Sequence, residues 1–244
     1  MRVNETKKLD GQRIRSFYNS VSDVWAIDDP WHDYSKRVIS SYLSKQTFFD
    51  NTIVLNAGSA GNTYNIDCQK MYHIDIAEEK LKNIDNAFVA SIEKTPFENN
   101  FFDIIVCVGS VLNYCDAFNS ISELSRILKL KGYLVIEFES SCGFEYLGKE
   151  CYKKGAEIIT TEYIEKQHKQ WLYSRKYIMR ILRMYKLKII EEYPFHIIDG
   201  LLSKKINENM SVDWSEKTDK LLRHMPYFKN HGNNIIFCCK KIGS

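Results

Sequence analysis

Gly58 and Asp75 are the residues whose types and spacing point most directly to chemistry. The run Ile53-Val-Leu-Asn-Ala-Gly-Ser-Ala-Gly-Asn-Thr63 passes abruptly from apolar residues into a small, glycine-bearing turn. A second short apolar segment, Met71–Ile74, ends at Asp75. The pattern predicts strand, tight turn, helix, strand, carboxylate. In an α/β sheet such a turn lets backbone N–H groups approach a ligand, and the acid can take both hydroxyls of a ribose. These residues point to a nucleoside-containing cofactor. The G-x-G-x-x-G spacing of a dinucleotide site is absent, which disfavours a dehydrogenase.

Periodicity supplies the elements that must hold these groups. Strands are expected near 52–56, 71–75, 87–91, 103–108 and 133–138, with helices between them. The clearest helix is Asn119–Leu128, where Ile121, Leu124, Ile127 and Leu128 form one stripe. A further short helix is expected at Ala77–Lys82. Strands alternating with helices predict a parallel sheet covered on both faces. The late apolar runs Leu187–Glu192 and Asn234–Cys239 would bring the sheet to seven strands. Residues 1–45 precede the sheet and are expected as a helical lid over the ligand mouth. Residues 140–186 are longer than a plain crossover needs and are expected as a cap where substrate specificity lies. One domain of 1–244 accounts for the whole chain.

Several segments together resemble the class I S-adenosylmethionine-dependent methyltransferases, of the type acting on small molecules. In that family's first motif Asn56 stands at the acidic position and Gly58, Ala60 and Asn62 at the three glycines. Tyr72-His-Ile-Asp75-Ile resembles the second strand, and Ser91-Ile-Glu-Lys-Thr-Pro-Phe97 the D-A-E-x-L-P-F segment. Asn100-Phe-Phe-Asp-Ile-Ile-Val-Cys-Val108 resembles the fourth strand, and Leu128-Lys-Leu-Lys-Gly-Tyr-Leu-Val-Ile-Glu137 the turn and fifth strand. Tyr18-Asn-Ser-Val-Ser-Asp-Val-Trp25 is similar to the entry helix of small-molecule members. The resemblance implies a Rossmann-like, seven-stranded, mostly parallel sheet with the last strand antiparallel, and S-adenosyl-L-methionine as cofactor with S-adenosyl-L-homocysteine as product.

It also implies roles. Asn56, Ala57, Gly58 and Ser59 would border the methionine moiety, Asp75 and Ile76 the ribose, and Ser91 and Ile92 the adenine. Val108 and Gly109 would meet the cofactor's amino group, and Tyr18 its sulfonium or carboxylate. A Cβ at Gly58 would hold the backbone off the methionine, and Gly61 could absorb the turn geometry lost at Ala60 and Asn62. Asn113, Tyr114 and Tyr18 are acceptor-facing candidates, with Cys115 beside them. His32, His196, His224 and His231 are candidate bases, although a lone histidine is more often a packing or surface residue. Trp25, Trp31 and Tyr34 read as lid packing. No fixed catalytic motif is expected, because displacement on an activated sulfonium needs mainly alignment and exclusion of water.

Composition is ordinary for a globular chain, with 44% apolar and 27% charged residues and a net charge of +3. The seven cysteines form no C-x-x-C pair or zinc spacing, so no metal is expected and the thiols suit a reducing cytoplasmic setting. No apolar stretch approaches the ~18 residues that span a bilayer. Residues 166–190 carry Lys or Arg throughout and no acid, with Trp171, Tyr173, Tyr177 and Tyr185 interleaved. That composition invites a nucleic-acid partner and an RNA methyltransferase. However, Lys176, Arg180 and Arg183 share one helical face opposite Ile178, Ile181, Leu182 and Tyr185, as on a solvated amphipathic helix. A small-molecule acceptor is the favoured reading. The altered glycine motif also leaves open a cofactor-binding partner protein without catalysis.

Overall fold

Apolar runs too continuous for a sheet edge form the centre of a seven-stranded sheet. The computed structural model describes residues 9–25, 29–163, 166–202 and 206–243; residues 1–8 and 26–28 of the expected lid, and 164–165 of the expected cap, lie outside them. Helices α1 (Gly11–Ser20) and α2 (Pro30–Ser44) precede strands β1 (Ile53–Ala57), β2 (Lys70–Asp75), β3 (Ala87–Val89) and β4 (Phe102–Cys107). Helix α3 (Ala117–Ile127) and β5 (Leu128–Glu139) follow. Next come a hairpin of β6 (Ala156–Tyr163) and β7 (Lys166–Tyr173), then α4 (Arg175–Met184) and β8 (Leu187–Phe195). The chain closes with α5 (Asp199–Leu202), α6 (Glu208–Leu222), α7 (Pro226–Lys229) and β9 (Asn234–Lys241). The sheet order is β3-β2-β1-β4-β5-β9-β8, and β9 runs antiparallel to both its neighbours. This is the Rossmann-like arrangement with a reversed last strand.

Each face of the sheet has its own core. Helices α3 and α4 cover one, burying Ile121, Leu124, Ile178 and Leu182 against β4, β5 and β9 residues such as Ile105, Leu134 and Phe237. Each fully buried aliphatic contributes about 1.5–3 kcal/mol, more than the ~1 kcal/mol of a side-chain cap such as Asp116 on Asn119. Packing therefore fixes α3. Helix α2 covers the other face through Val38, Ile39 and Leu43, beside Val212 of α6. It starts at Asp29-Pro30, where the Asp29 carboxylate accepts the His32 N–H at 3.0 Å. Part of the expected 1–45 lid is thus a structural layer of the sheet, and Tyr34 is buried with its hydroxyl donating to Asp219 at 2.9 Å.

The helix expected between the first two strands does not form. Residues 58–69 make an irregular loop in which Gly58, Ala60, Gly61, Tyr64 and Asn65 all have positive φ. No right-handed run is left long enough for an α-helical turn. Local polar side chains stabilise the alternative: the Asn62 carboxamide accepts the Tyr64 N–H at 2.9 Å, and the Asn56 amide donates to the Asn62 carbonyl. The helix expected at Ala77–Lys82 is only a 3₁₀ turn, Glu78–Leu81. The entry helix stops at Ser20, leaving Trp25 on the loop beyond.

The 140–186 segment divides into three parts, of which the first, residues 140–155, holds a 3₁₀ turn at Phe144–Tyr146. Helix α4 lies outside the sheet with Lys176, Arg180 and Arg183 exposed, as an amphipathic helix should. The β6–β7 hairpin instead reaches α1. His168 of β7 meets Phe17 with ring centroids 4.8 Å apart and Tyr114 at 4.8 Å, and Tyr18 meets Tyr114 at 5.6 Å. Arg15 holds α1 down by donating to the Ile76 carbonyl at 2.8 Å, and Lys80 donates to the carbonyls of Val21 and Ser22.

Candidate active site

Ligands of open parallel sheets bind beyond the carboxyl ends of the strands, and there β1, β2, β4 and β5 border a cavity of about 430 Å³. One end is walled by Gly58, Ser59, Ala60, Asp75, Ile76 and Ile92. The turn is sewn to β2 instead of presenting its amides. The N–H groups of Gly58 and Ser59 both donate to the Ile74 carbonyl, at 2.8 and 3.1 Å, and the Ala60 N–H donates to the Asp75 carboxylate at 2.9 Å. Gly58 is required for a reason other than the one expected. Its φ is +72°, and a Cβ would fall 2.4 Å from a Val111 methyl of the protein itself. Gly61, at φ +78°, takes up the turn one residue late, with a Cβ there only 2.7 Å from the Lys80 carbonyl.

Asp75 accepts the N–H of Ala77 at 2.8 Å on one oxygen and that of Ala60 on the other. Each carboxylate oxygen retains a lone pair. Burial pushes its pKa up, and these N–H donors pull against that shift. Trp25 covers the end of β4 above Gly109, and its buried indole N–H has no partner although it belongs to the cavity wall. A half-free carboxylate and an orphaned donor suit a nucleoside with ribose hydroxyls and polar ring atoms. The residues present fit an adenosyl cofactor.

The other end is acidic. Glu137 is fully buried and accepts the Ser110 N–H at 2.6 Å and the Asn234 amide at 2.7 Å. Glu139 accepts the Tyr146 hydroxyl and the Gln170 amide; burial pushes it up to about 7, with the Glu145 carboxylate adding to the shift. Glu145 accepts the Asn233 amide at 2.9 Å and is also pushed up by burial. Gly143 makes room for that asparagine, since a Cβ would overlap its Oδ1 at 1.6 Å. Beside these lies a buried relay. Ser35 faces the cavity, its Oγ is 2.8 Å from His196 Nε2, and His196 Nδ1 pairs with Asp199. With Nδ1 protonated toward Asp199, Nε2 is free to accept the Ser35 hydroxyl proton. Trp31 stacks on the imidazole at 3.6 Å between centroids.

Of the residues singled out in the sequence, Tyr18, Gly58, Ser59, Asp75, Ile76, Ile92, Val108, Gly109 and Tyr114 share this cavity wall. Asn56, Ala57 and Ser91 are not in it: Asn56 clamps the turn, Ala57 is strand core, and the Ser91 hydroxyl accepts the Glu93 N–H at 3.1 Å. Asn113 is also absent from the wall. Fully buried, it donates to the Glu139 and Trp171 carbonyls and accepts the Glu139 N–H, pinning β5 to β7. Trp25 and Trp31, expected as packing, line the cavity, as does His32. The glutamates were missed. Their one signal was Glu137-Phe-Glu139, acids in an otherwise apolar strand.

Residues 53–136 match the family described as "Methyltransferase domain". An uncharacterised protein of Methanocaldococcus jannaschii is 33% identical over 142 residues, covering 51% of this chain and 60% of that protein. The [4+2]-cyclase SpnF has a similar structure, with a TM-score of 0.61, 12% identity, and coverage of 97% of this chain and 98% of its own. So does 1,6-didemethyltoxoflavin-N1-methyltransferase of Burkholderia thailandensis, crystallised with 1,6-didemethyltoxoflavin and S-adenosylhomocysteine (TM-score 0.54, 10% identity, 96% and 87% coverage). Residues 53–136 thus carry a methyltransferase domain, within a chain whose fold is similar to that of a methyltransferase crystallised with S-adenosylhomocysteine. The methyltransferase domain implies S-adenosylmethionine as cofactor.

Proposed function

We propose that the protein transfers the methyl group of S-adenosylmethionine to a small or medium-sized acceptor. The observation that carries this is the continuity of one cavity from the Asp75 end to the Glu137–Glu139 end. Nucleoside and acceptor can then meet within a single water-poor space. Asp75 would take the ribose hydroxyls, Ile92 would pack on the adenine, and the Trp25 indole would donate to the cofactor. Alignment and desolvation supply most of the acceleration, because the sulfonium is already a good leaving group. A base is needed only where the acceptor carries its proton at neutral pH; Glu139 and the Ser35–His196–Asp199 relay are the groups placed to take it.

The Burkholderia enzyme supports the small-acceptor reading by fold likeness. Lys176, Arg180 and Arg183 lie outside the cavity wall, so an RNA backbone held by them would not be guided by the same groups. All seven cysteines are free, which suits a reducing cytoplasmic compartment. Among the described residues no helix is long and apolar enough to cross a membrane. A second reading, a cofactor-binding partner without catalysis, is favoured by the turn whose amides are consumed internally. Calorimetric titration with S-adenosylmethionine and S-adenosylhomocysteine, followed by counting transfer of a labelled methyl group, separates the two. Micromolar binding with transfer is the expected result; binding without transfer to any acceptor supports the partner, and no binding of either overturns both.

A further inference from the structure

The acidic end of the cavity holds three carboxylates with no compensating cation in contact. Glu137, Glu139 and Glu145 all line it, and among the described residues no ion pair joins any of them to a lysine or arginine. The one lysine in the wall, Lys80, spends its ammonium on the Val21 and Ser22 carbonyls. Lys149 lies 5.0 Å over the Tyr146 ring. Neutral donors from Ser110, Asn234, Gln170, Asn233 and Tyr146 hold the carboxylates in place. They carry no charge of their own, and Lys149 and His196 act on Glu145 only through space; gathering like charges in a desolvated space is costly without a counter-charge in contact.

A second observation marks the same spot as a ligand site. Asn234, only 4% exposed, lies in the cavity wall and gives its amide N–H to Glu137, while its buried Oδ1 has no partner. A buried acceptor without a donor costs about 1–3 kcal/mol. The missing complement is therefore a group with positive charge and several N–H donors. Ammonium and amidinium groups have both properties; hydroxyl, carboxylate and phosphate groups do not.

We infer that the methyl acceptor is a small organic cation, with a protonated nitrogen seated among Glu139, Glu145 and the Asn234 carbonyl oxygen. This deepens the methyl-transfer reading and rests on it. Acidic groups alone would take any cation, but the aromatic wall of Tyr18, Tyr114, Trp31 and Tyr146 suits the apolar body of an amine, and cations favour aromatic faces.

The test uses a matched pair of probes on the full chain saturated with S-adenosylhomocysteine. Benzylamine (cationic at pH 7.5) and benzyl alcohol have the same shape and differ in charge and donor count. Calorimetry should show benzylamine binding at least tenfold more tightly. In Glu139→Gln/Glu145→Gln that preference should fall below about threefold, while the affinity for S-adenosylhomocysteine stays at the wild-type value. Equal affinities for the two probes, binding of neither, or a preference that survives the double substitution overturns the inference. If S-adenosylhomocysteine itself fails to bind, the methyl-transfer reading fails first and the inference falls with it. Should the double variant fold poorly, Glu145→Gln alone, which keeps an oxygen to accept the Asn233 amide, must still lower the preference for benzylamine over benzyl alcohol.

Discussion

The cofactor end of the cavity draws its groups mainly from residues 58–92, one continuous stretch that turns at the ends of three neighbouring strands. The acidic end gathers Glu137, Glu145, Gln170, Ser35 and Asn234 from segments scattered over most of the chain. At the first end the backbone does the shaping, through left-handed turn residues and amides tied to β2. At the second, side chains do it, each fixed by a neutral donor. A backbone site can be common to proteins with different substrates, whereas a side-chain site is free to differ in each. The division matches the two tasks that the proposed methyl transfer sets, a donor in common with other methyltransferases and an acceptor of its own.

The sharpest way to break this contrast is at Gly58. Gly58→Ala forces a Cβ onto Val111 and a side chain into a left-handed φ, so affinity for S-adenosylhomocysteine should drop by roughly 100-fold, or about 2.7 kcal/mol. Calorimetry that finds wild-type affinity would show that the turn does not shape the cofactor end. Asp75→Ala comes next, with a loss of at least about tenfold, or ~1.4 kcal/mol, in the same titration. Because Asp75 also holds Ala60 and Ala77, Asp75→Asn should recover part of the loss.

At the acidic end, pH is the probe. Burial pushes Glu139 up to about 7 in the folded protein, against an unfolded value near the ordinary ~4.3. Between those values the folded state keeps a proton that the unfolded chain has released. The stabilisation is complete below the ordinary carboxylate range and is lost as pH rises through 7. Asp219, raised by burial to about 6, acts in the same direction. Urea titrations at pH 5 and pH 8 should therefore show lower stability at pH 8, by up to about 3 kcal/mol. Glu139→Gln should flatten the difference; a slope unchanged in that variant would remove Glu139 as its source. The smallest effect belongs to a place outside both ends. Arg180→Glu on the exposed face of α4 should alter stability by less than about 0.5 kcal/mol and leave transfer to small acceptors unchanged. A loss of activity there would revive the RNA reading.

The same contrast explains what was legible beforehand. The seven strands of the sheet, α3 and the placement of Gly58 and Asp75 follow from local runs and short spacings, and the reversed β9 and Ile92 from the family resemblance, whereas the β6–β7 hairpin had no such signal. The missing helix after β1 was not legible, because it depends on several residues adopting positive φ together, two of them an alanine and a tyrosine that rarely do so. Asn113 was misplaced because its surroundings come from β5 and β7, far away in sequence. His196 looked like any other histidine until Asp199 and Ser35 closed around it. Long-range side-chain clusters have no period and no fixed spacing, so the acidic end could only emerge from the folded chain.

The clasp between α1 and the segment after β2 bears on how this sequence can drift. Arg15 and Lys80 supply side-chain donors whose hydrogen-bond acceptors are main chain, the carbonyls of Ile76, Val21 and Ser22, beside one contact of the reverse kind in which the Asn19 carboxamide accepts the Glu79 N–H. Main-chain oxygens are present whatever residue is encoded, so positions 21, 22 and 76 are free of this constraint while 15 and 80 carry it. Among homologues that retain the clasp, a long cation should persist at 15 and 80 while the three acceptor positions vary. An asymmetric footprint of that kind would trace the lid's attachment through diverging sequences without any structure to guide it.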